Sequence, residues 1–558
     1  MITGPESIAT IAAGQDPLFP VLTPDQMKRL ADRGRTRRVA EGEVLLEVGA
    51  QGVGIFVVTS GRLEIVRPGP DGAENVATLG AGQFTGEVNT LAGRAAVVSI
   101  RAVAPGEVIE VPREQLLWVV QADAELSEIM MRAFLLRRVE LVNKKVGNAI
   151  LIGSDHCAGT LRIRQFLERN DFPYLNVDLD RDKQSQELLD QFQLTLADVP
   201  VLICHCSRIL RNPSNQEIAQ CLGFNERIDQ TETRDLVIVG AGPAGLAAAV
   251  YAASEGLDVL VLENDAPGGQ AGTSMRIENY LGFPTGITGH ELARAAYAQA
   301  TKFGAHLMVA EPASALSCGR KPYVVGIQNG PEMSSRAVII ASGAEYRKLQ
   351  VEGAQRLEGA GVYYSATPME AQLCRGDEVI IVGGGNSAGQ AAVFLAEETR
   401  RVHILVRASG LADSMSRYLE NRIRTHPRIE LHVRTEIVAI AGDRHVERVT
   451  WRNKDTGVQQ TVAMRHVFVM TGADPNTAWL KGCVTLDDKG FVKTGTDLTP
   501  EDLADAAWSL PRQPYMLETS RPGVFAIGDA RSGSVKRLTS AVGEGSHAVA
   551  LVHRVLHE

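Results

Sequence analysis

A short apolar strand, Asp235 to Val239, runs into Gly240-Ala241-Gly242-Pro243-Ala244-Gly245 and then into an alanine-rich helix. Glycine at these three places permits a tight turn, a close approach of backbone to a pyrophosphate, and contact between helix and strand, while the helix N-terminus offers N–H donors to the anion. Such a site also needs an acid about twenty residues on, at the end of the next strand, to take a ribose hydroxyl. Glu263, closing the run DVLVLE, stands there. A glycine triplet alone would say little, but strand, glycines, helix and acid together predict a dinucleotide site. A second glycine-rich turn, Gly383-Gly384-Gly385-Asn386-Ser387-Ala388, follows the strand EVIIV.

Thiols are the other chemistry to account for. Seven cysteines (Cys157, Cys204, Cys206, Cys221, Cys318, Cys374, Cys483) are odd in number and widely spaced, which argues against a secreted disulfide framework and for buried small hydrophobes. Cys204-His205-Cys206 is too compact for zinc and lacks a second ligand pair at the usual spacing, so no metal is predicted.

These residues must be positioned by several domains, because 558 residues exceed what one core fills. The 57 Lys and Arg are scattered among 66 Asp and Glu; without a basic stripe, no nucleic-acid partner is expected and any anion site is a local pocket. The opening MITGPESIATIAAG lacks a basic n-region, and no run reaches bilayer length, so no membrane association is expected and the chain is placed in the cytoplasm. Up to about Lys145, short apolar runs punctuated by glycine (GEVLLEVG, GIFVVTSGRLEIV, VVSIRAV) predict an antiparallel roll closed by one helical stretch from Arg113 to Lys145. From about Ala149 to Phe224 the texture is a small α/β layout that ends in a Pro-initiated strand, VPVLIC. A polar linker follows, and strands alternate with helices to the end.

From Asp235 to Glu558 the chain resembles the low-molecular-weight thioredoxin reductases. The likeness is carried by the first glycine turn, by Gly268-Gly269-Gln270, by ENYLGFP from Glu278, by ASGA from Ala341, and by VFAIGDA with Gly528 and Asp529. It implies FAD held by Gly240, Gly242, Pro243, Ala244, Gly245, Glu263, Gly269, Gln270, Asn279, Gly528 and Asp529, with Asn279 on the isoalloxazine and Asp529 on the ribityl chain. Where relatives place Arg-Gln before a helix start, this chain has Lys536 and Arg537, then Leu538; extra positive charge there favours an anionic reduced flavin. The resemblance makes the second turn the entry to an inserted nicotinamide domain, with Gly383, Gly385, Asn386, Ser387 and Ala388 as its contacts. Relatives carry acids where this chain has Asn386, Gln390 and Ala391, and their HRR clamp is here Val406-Arg407-Ala408. One guanidinium, Arg407, still suits a 2'-phosphate, favouring NADPH over NADH, with Arg417 as a second contact. A degenerate Rossmann half kept for packing is the other reading. The relatives are usually dimers, so a homodimer is expected.

Family members carry their reactive cysteine pair where this chain reads Ala366-Thr367-Pro368-Met369. Neither Ala366 nor Met369 can attack or resolve a disulfide, so turnover of thioredoxin by the family's route is not expected. Cys374, five residues beyond, reads as a buried residue. An alternative thiol lies in the middle segment: ILIGSDHCAGTLRIRQFLERNDFPYLNVDLD resembles the opening of a glutaredoxin or thioredoxin fold, with Cys157 in the attacking position, Thr160 in place of a second cysteine, His156 beside it, and Pro200 at the turn that faces such a site. Cys157 at a helix start gains thiolate character; a docking or spacer role for the segment is the alternative.

FTGEVNTLAGRAAVVSIRA resembles the phosphate-binding cassette of cyclic-nucleotide-binding domains. Gly86, Glu87, Arg94 and Ala95 would take the nucleotide, Glu87 on the ribose hydroxyl and Arg94 on the cyclic phosphate. The stretch between Glu87 and Arg94 is about two residues short of the usual length, and a plain Glu87–Arg94 ion pair bracing a turn is the other reading. No helix-turn-helix follows.

The expected fold is thus multi-domain: a β-roll plus helix, cyclic-nucleotide-binding-like, at 1–146; a small thioredoxin-like α/β domain at 147–226; a linker at 227–234; and two Rossmann-like domains, FAD-binding at 235–350 and 472–558 and NAD(P)-binding at 351–471. The resemblance implies an FAD-dependent NAD(P)H oxidoreductase whose acceptor is a small oxidant, a quinone or a redox protein. A ferredoxin-NADP reductase-like enzyme and a non-enzymatic flavin and nucleotide sensor are the alternatives.

Overall fold

The computed structural model describes residues 16–69, 72–147, 149–154, 157–180, 194–195, 198–204, 208–411 and 415–558. His156, His205 and Cys206 lie outside the described residues. The first unit is an antiparallel roll, with strands ordered Arg35–Val39, Ser99–Val111, Ile55–Gly69, Gly72–Leu79 and Val44–Leu46 paired to Ser99–Val111. The expected single helix from Arg113 to Lys145 is two, Arg113–Ala122 and Ala124–Asn143. The break falls at Asp123, which is extended (φ −108°, ψ 103°) and whose carboxylate accepts from Leu126 N at 3.0 Å. A short acid that caps the backbone competes with helix continuation, a preference hidden beneath the apolar periodicity.

The middle unit is a four-stranded sheet in the order Leu175–Asp178, Ala149–Gly153, Val201–Cys204, Arg208–Arg211. The first pair is parallel and the other two antiparallel. Helices Ala158–Arg169 and Asn215–Leu222 pack on it around Phe166, Phe172 and Phe224. The Val199–Pro200 peptide is cis.

The remainder holds two parallel sheets. In the first, Arg234–Val239 sits between Val259–Glu263 and Glu332–Ile340, with His306–Val309 and Val524–Ala526 parallel at the flanks and a hairpin, Ala313–Ser317 with Tyr323–Ile327, added to Glu332–Ile340. The second is ordered Val362–Tyr363, His466–Val469, Glu378–Val382, Arg401–Leu405, Ile429–His432. A three-stranded antiparallel sheet, Thr435–Ala441, Arg448–Asn453 and Gln459–Ala463, covers one of its faces through Ile437, Val449 and Trp451. Strands buried on both faces read as unbroken runs such as LVIV and EVIIV, as parallel sheets require. No helix among the described residues is long and apolar enough to cross a membrane.

Two of the seven cysteines depart from the reading as buried hydrophobes: Cys318 and Cys483 form a disulfide across 165 residues, with Cα atoms 5.8 Å apart, while Cys204, Cys221 and Cys374 are buried. Their distance in sequence conceals a neighbourhood made by the core of the first parallel sheet, where both pack with Leu316 and Val484. Cys374 is fully buried, as expected, and burial pushes its thiol pKa up.

Candidate functional site

A cavity of about 2020 Å³ opens where the two parallel-sheet domains and the middle unit meet. Its wall contains Gly240, Gly242, Pro243, Ala244, Glu263, Gly269, Gln270, Asn279, Gly528, Asp529, Lys536, Arg537 and Leu538. The sequence-predicted flavin residues therefore converge, with Gly245 as the exception. Gly245 is spent on packing: a Cβ there would stand 1.8 Å from Gly240 O, so only glycine lets the helix Pro243–Ser254 start so near its strand. Gly242 differs. A Cβ built on it meets nothing nearer than Gly269 Cα at 4.0 Å, so its face is a cradle open to the cavity at the N-cap of that helix.

Glu263 ends its strand with one carboxylate oxygen accepting from Ala241 N at 2.6 Å and the other from Asp265 N at 2.9 Å. Burial pushes its pKa up, and those two N–H bonds oppose the shift by favouring the charged form. Gln270 Nε2 donates to Ala344 O at 2.6 Å, fixing the Gly268–Gln270 loop against the strand that leaves the first sheet. Asp529 lies at the cavity's far wall with its pKa raised by burial; Lys536 donates from Nζ to Asp529 O at 2.6 Å and to Ser534 Oγ at 3.0 Å. Burial lowers the Lys536 pKa, with the carboxylate of Asp529 opposing the shift. Arg537 is the N-cap of the terminal helix Leu538–His557.

From the second glycine turn only Asn386 and Ser387 reach the cavity; Gly383, Gly385, Ala388 and Arg407 do not line it. Gly383 has φ 143°, and a Cβ there would stand 2.4 Å from Met470 O. Gly385 caps the helix Asn386–Glu398, and Ala388 is buried beneath it. Asn386 turns its carbonyl oxygen to Ser416, accepting from N and Oγ at 2.7 Å each. Arg407 is exposed, with the Glu436 carboxylate in its field.

Residues that the sequence reading missed close the cavity from the middle unit. Arg164, Gln165, Glu168 and Arg169 of the helix Ala158–Arg169 line it. Arg169 pairs with Asp265 and donates to Gly269 O at 3.1 Å, and Gln165 donates to Glu370 Oε1 at 2.5 Å. Nothing in the sequence said where the polar face of this helix would dock. The segment Ala366-Thr367-Pro368-Met369 lies under it: Thr367 caps the helix Pro368–Leu373, and Ala366 and Met369 are buried. Cys157 is the N-cap of the helix Ala158–Arg169 and is half-buried. Two residues on, a Cβ on Gly159 would stand 3.0 Å from the Pro200 ring, so that ring faces the Cys157 turn.

The cassette is engaged by its neighbours. Gly86 holds φ 101° as a turn against Ile55 and Phe134. Glu87 faces Arg138 at 3.5 Å and accepts from Asn89 N at 3.1 Å, so the expected alternative of a Glu87–Arg94 pair is replaced by a Glu87–Arg138 pair. Ala95 N donates to Gly223 O of the middle unit at 2.9 Å. Arg94 is buried, its guanidinium 4.8 Å from the Tyr297 ring and 5.5 Å from the Phe224 ring, and its Nε and Nη2 have no hydrogen-bond partner among the described residues. The space beside it, bounded by Arg138, Arg169, Asp171 and Arg294, is about 30 Å³, room for water and well short of a nucleotide. Gly86 and Glu87 thus pack within their own unit, while Arg94 and Ala95 also meet its neighbours.

Comparison with known proteins agrees with this architecture. Residues 234–545 match the model of the pyridine nucleotide-disulphide oxidoreductases, and residues 36–123 match that of the cyclic nucleotide-binding domain. A thioredoxin reductase of Mycolicibacterium smegmatis is 36% identical over 325 residues, 58% of this chain and 97% of the relative. The solved thioredoxin reductases of Lactococcus lactis, in the FR conformation, and of T. acidophilum superpose with a TM-score of 0.52 each at 27% and 29% identity; each match covers 58% of this chain, and 100% and 99% of those chains. The chain therefore carries an N-terminal cyclic nucleotide-binding domain and belongs, through its C-terminal module, to the pyridine nucleotide-disulphide oxidoreductase family, among relatives of the thioredoxin reductases.

Proposed function

We propose that this protein is an FAD-dependent NAD(P)H oxidoreductase that delivers electrons without a cysteine pair in its 366–369 segment and whose activity is set by its cyclic nucleotide-binding domain. The observation that carries the reading is the convergence of the first glycine turn, Glu263, Asn279, Asp529 and the start of the terminal helix on one cavity that Asn386 and Ser387 also reach. The residues fit the cofactor: Gly242 leaves an open cradle at a helix N-terminus, where backbone N–H groups favour a pyrophosphate. Glu263, held in place by two backbone N–H groups, would take a ribose hydroxyl. Asn279, Asp529, Lys536, Arg537 and Leu538, on the same cavity wall, would hold the rest of the molecule. A bound flavin supplies two-electron exchange with a nicotinamide, and the protein contributes binding, orientation and electrostatics. Asn386 and Ser387, which reach the cavity, would contact the nicotinamide nucleotide, with Gly383, Gly385 and Ala388 shaping the turn that presents them and the exposed Arg407 for a 2'-phosphate, hence NADPH ahead of NADH.

The acceptor differs from that of a dithiol enzyme. Ala366 and Met369 offer no sulfur for exchange, and the helix Ala158–Arg169 covers their segment through Gln165 and Glu370. The middle unit supports a thioredoxin-like reading, since Cys157 starts a helix and the Pro200 ring faces its turn. Cys157 is then a single thiol able to hold one mixed disulfide; Cys157→Ser with undiminished turnover of every disulfide acceptor removes that role. A sensor reading is favoured by Asn386, whose side-chain oxygen is committed to Ser416. Anaerobic addition of NADPH or NADH decides between them: bleaching of the flavin band within the mixing time supports the enzyme, and binding of nucleotide without bleaching supports the sensor.

A further inference from the structure

On the outer part of the nicotinamide-side sheet, two parallel neighbours, Arg401–Leu405 and Ile429–His432, set His403 opposite Glu430 and Leu405 opposite His432. None of His403, Glu430 and His432 lines the cavity. Their side chains nevertheless converge. His403 Nδ1 lies 3.1 Å from His432 Nε2 and 3.7 Å from Glu430 Oε2, and His432 Nε2 lies 3.5 Å from Glu430 Oε1. The two contacts to Glu430 use different carboxylate oxygens; taking one ligand atom from each residue, all three lie within 4.8 Å of one another, the only such group of three among the described residues.

The triangle has a chemical meaning. Zinc binds imidazole nitrogen at about 2.0–2.1 Å and carboxylate oxygen at about 2.0–2.2 Å in a tetrahedron, whose edges are then about 3.3–3.5 Å. The nitrogen–nitrogen distance of 3.1 Å, with Glu430 Oε1 at 3.5 Å from His432 and its Oε2 at 3.7 Å from His403, lies close to that edge, and a small rotation of the half-exposed carboxylate presents one oxygen to both nitrogens. The other nitrogen of His403, Nε2, faces Glu378 Oε2 at 3.6 Å, the outer carboxylate that commonly orients a metal-bound imidazole. Trp451 lies beside both rings, at 5.9 Å from His403 and 5.5 Å from His432, and closes the apolar side. His403 is 11% exposed in its side chain against 22% for His432 and 47% for Glu430, so an ion would enter from solvent and keep water as its fourth ligand. Arg401 Nη1 holds Glu430 Oε2 at 3.1 Å and is the competitor that the ion must displace or share.

We propose that His403, His432 and Glu430 form a binding site for a divalent transition ion of the zinc type, completed by water, which cross-links the neighbouring parallel strands Arg401–Leu405 and Ile429–His432 beneath Trp451. Two nitrogens and one oxygen favour zinc, nickel or copper over magnesium, whose preferred ligands are all oxygen. The ion's role is structural, because its ligands stand apart from the cavity wall.

The test uses the full chain with its flavin retained, stripped of metal by a chelator and titrated calorimetrically with zinc chloride, with magnesium chloride as the comparison. One zinc ion per chain, no magnesium binding, a higher melting temperature with zinc, and quenching of tryptophan emission by copper sulfate are expected. His432→Gln and Glu430→Gln should each weaken zinc binding by at least about tenfold, with flavin content unchanged. Trp451→Phe should abolish most of the quenching while calorimetric binding persists. No saturable zinc binding, or zinc binding undiminished in both ligand variants, overturns the proposal. If His432→Gln loses flavin or melts early, the half-exposed Glu430→Gln decides alone.

Discussion

Gly242 and Gly245 are separated by three positions, and the structure gives them opposite reasons for being glycine. A Cβ on Gly245 would stand 1.8 Å from Gly240 O and 3.3 Å from Ala341 Cβ. Restoring an ordinary carbon–oxygen contact of about 3.3 Å requires the helix to retreat by roughly 1.5 Å, with loss of its contact to the strand. Gly245→Ala should therefore destabilise the apoprotein and its flavin site together. A Cβ on Gly242 meets no protein atom closer than 4.0 Å, and its φ of −69° and ψ of −177° suit alanine. Gly242→Ala should change apoprotein stability by less than about 1 kcal/mol.

The Cβ of Gly242→Ala projects into the cradle and holds a pyrophosphate away from the helix N-terminus. Loss of two charge-assisted bonds at about 1.5 kcal/mol each, the lower end of their range, weakens FAD by about 3 kcal/mol, roughly a hundredfold in Kd. The assay pairs calorimetric melting of both apoproteins with fluorescence titration of FAD. Gly242→Ala with wild-type FAD affinity, or with a melting temperature as low as that of Gly245→Ala, refutes the separation of roles and with it the placement of the pyrophosphate.

Asp171 at the domain junction is pushed up by burial, but hydrogen bonds from His290 and Arg294 override this and hold its pKa well below the usual carboxylate range. Its stabilisation is thus present above the unfolded value near about 4 and is lost as pH falls through the lower folded value. Asp171→Asn, which tolerates the residue's φ of 54°, should lose about 3–5 kcal/mol at neutral pH and show a flatter acid limb in urea unfolding; an unchanged limb contradicts this. Lys536→Ala combined with Arg537→Ala should lower the bound flavin's midpoint potential, read by redox titration, and a potential that does not fall would show that their charge does not reach the flavin. Gly223→Ala places a Cβ 2.5 Å from Ala95 Cβ at φ 65°, so it should pry the cassette from the middle unit and raise the affinity for cyclic AMP measured by calorimetry; unchanged affinity would mean that this contact does not close the site.

What sequence revealed and what it hid divide along a physical line. Gly240, Glu263 and the strand runs around them were legible because backbone sterics and two-sided burial write themselves into adjacent residues. Arg169, Gln165 and Tyr297 were not, since their polar or aromatic ends act only after separate domains dock. The same holds for His403 and His432, 29 residues apart and neighbours only through the pairing of parallel strands. Arg94 was legible as a cation in a cassette, but its seat against Tyr297 and Phe224 depends on partners two hundred and more positions away for one and beyond a domain boundary for both. The break at Asp123 shows a smaller version: periodicity marked the apolar face, and one capping side chain outweighed it.

The junction also constrains how a nucleotide at the cassette can influence the flavin side. Tyr297, which meets Arg94, and Ala293, which abuts Gly268, are four residues apart on the helix Gly289–Lys302 and so share one face. Arg169 bounds the space beside Arg94 and also donates to Gly269 O. Both routes end on the Gly268–Gln270 loop, whose Gln270 is anchored to Ala344 O. A ligand that draws Arg94 out of the interface therefore changes the free energy of that loop, and a tenfold effect needs only about 1.4 kcal/mol of coupling. Linkage makes the effect reciprocal: the factor by which cyclic AMP changes FAD affinity must equal the factor by which FAD changes cyclic AMP affinity. Titrating each ligand with and without saturating amounts of the other measures both factors, and with both at unity Arg94 and Tyr297 would be packing partners and nothing more.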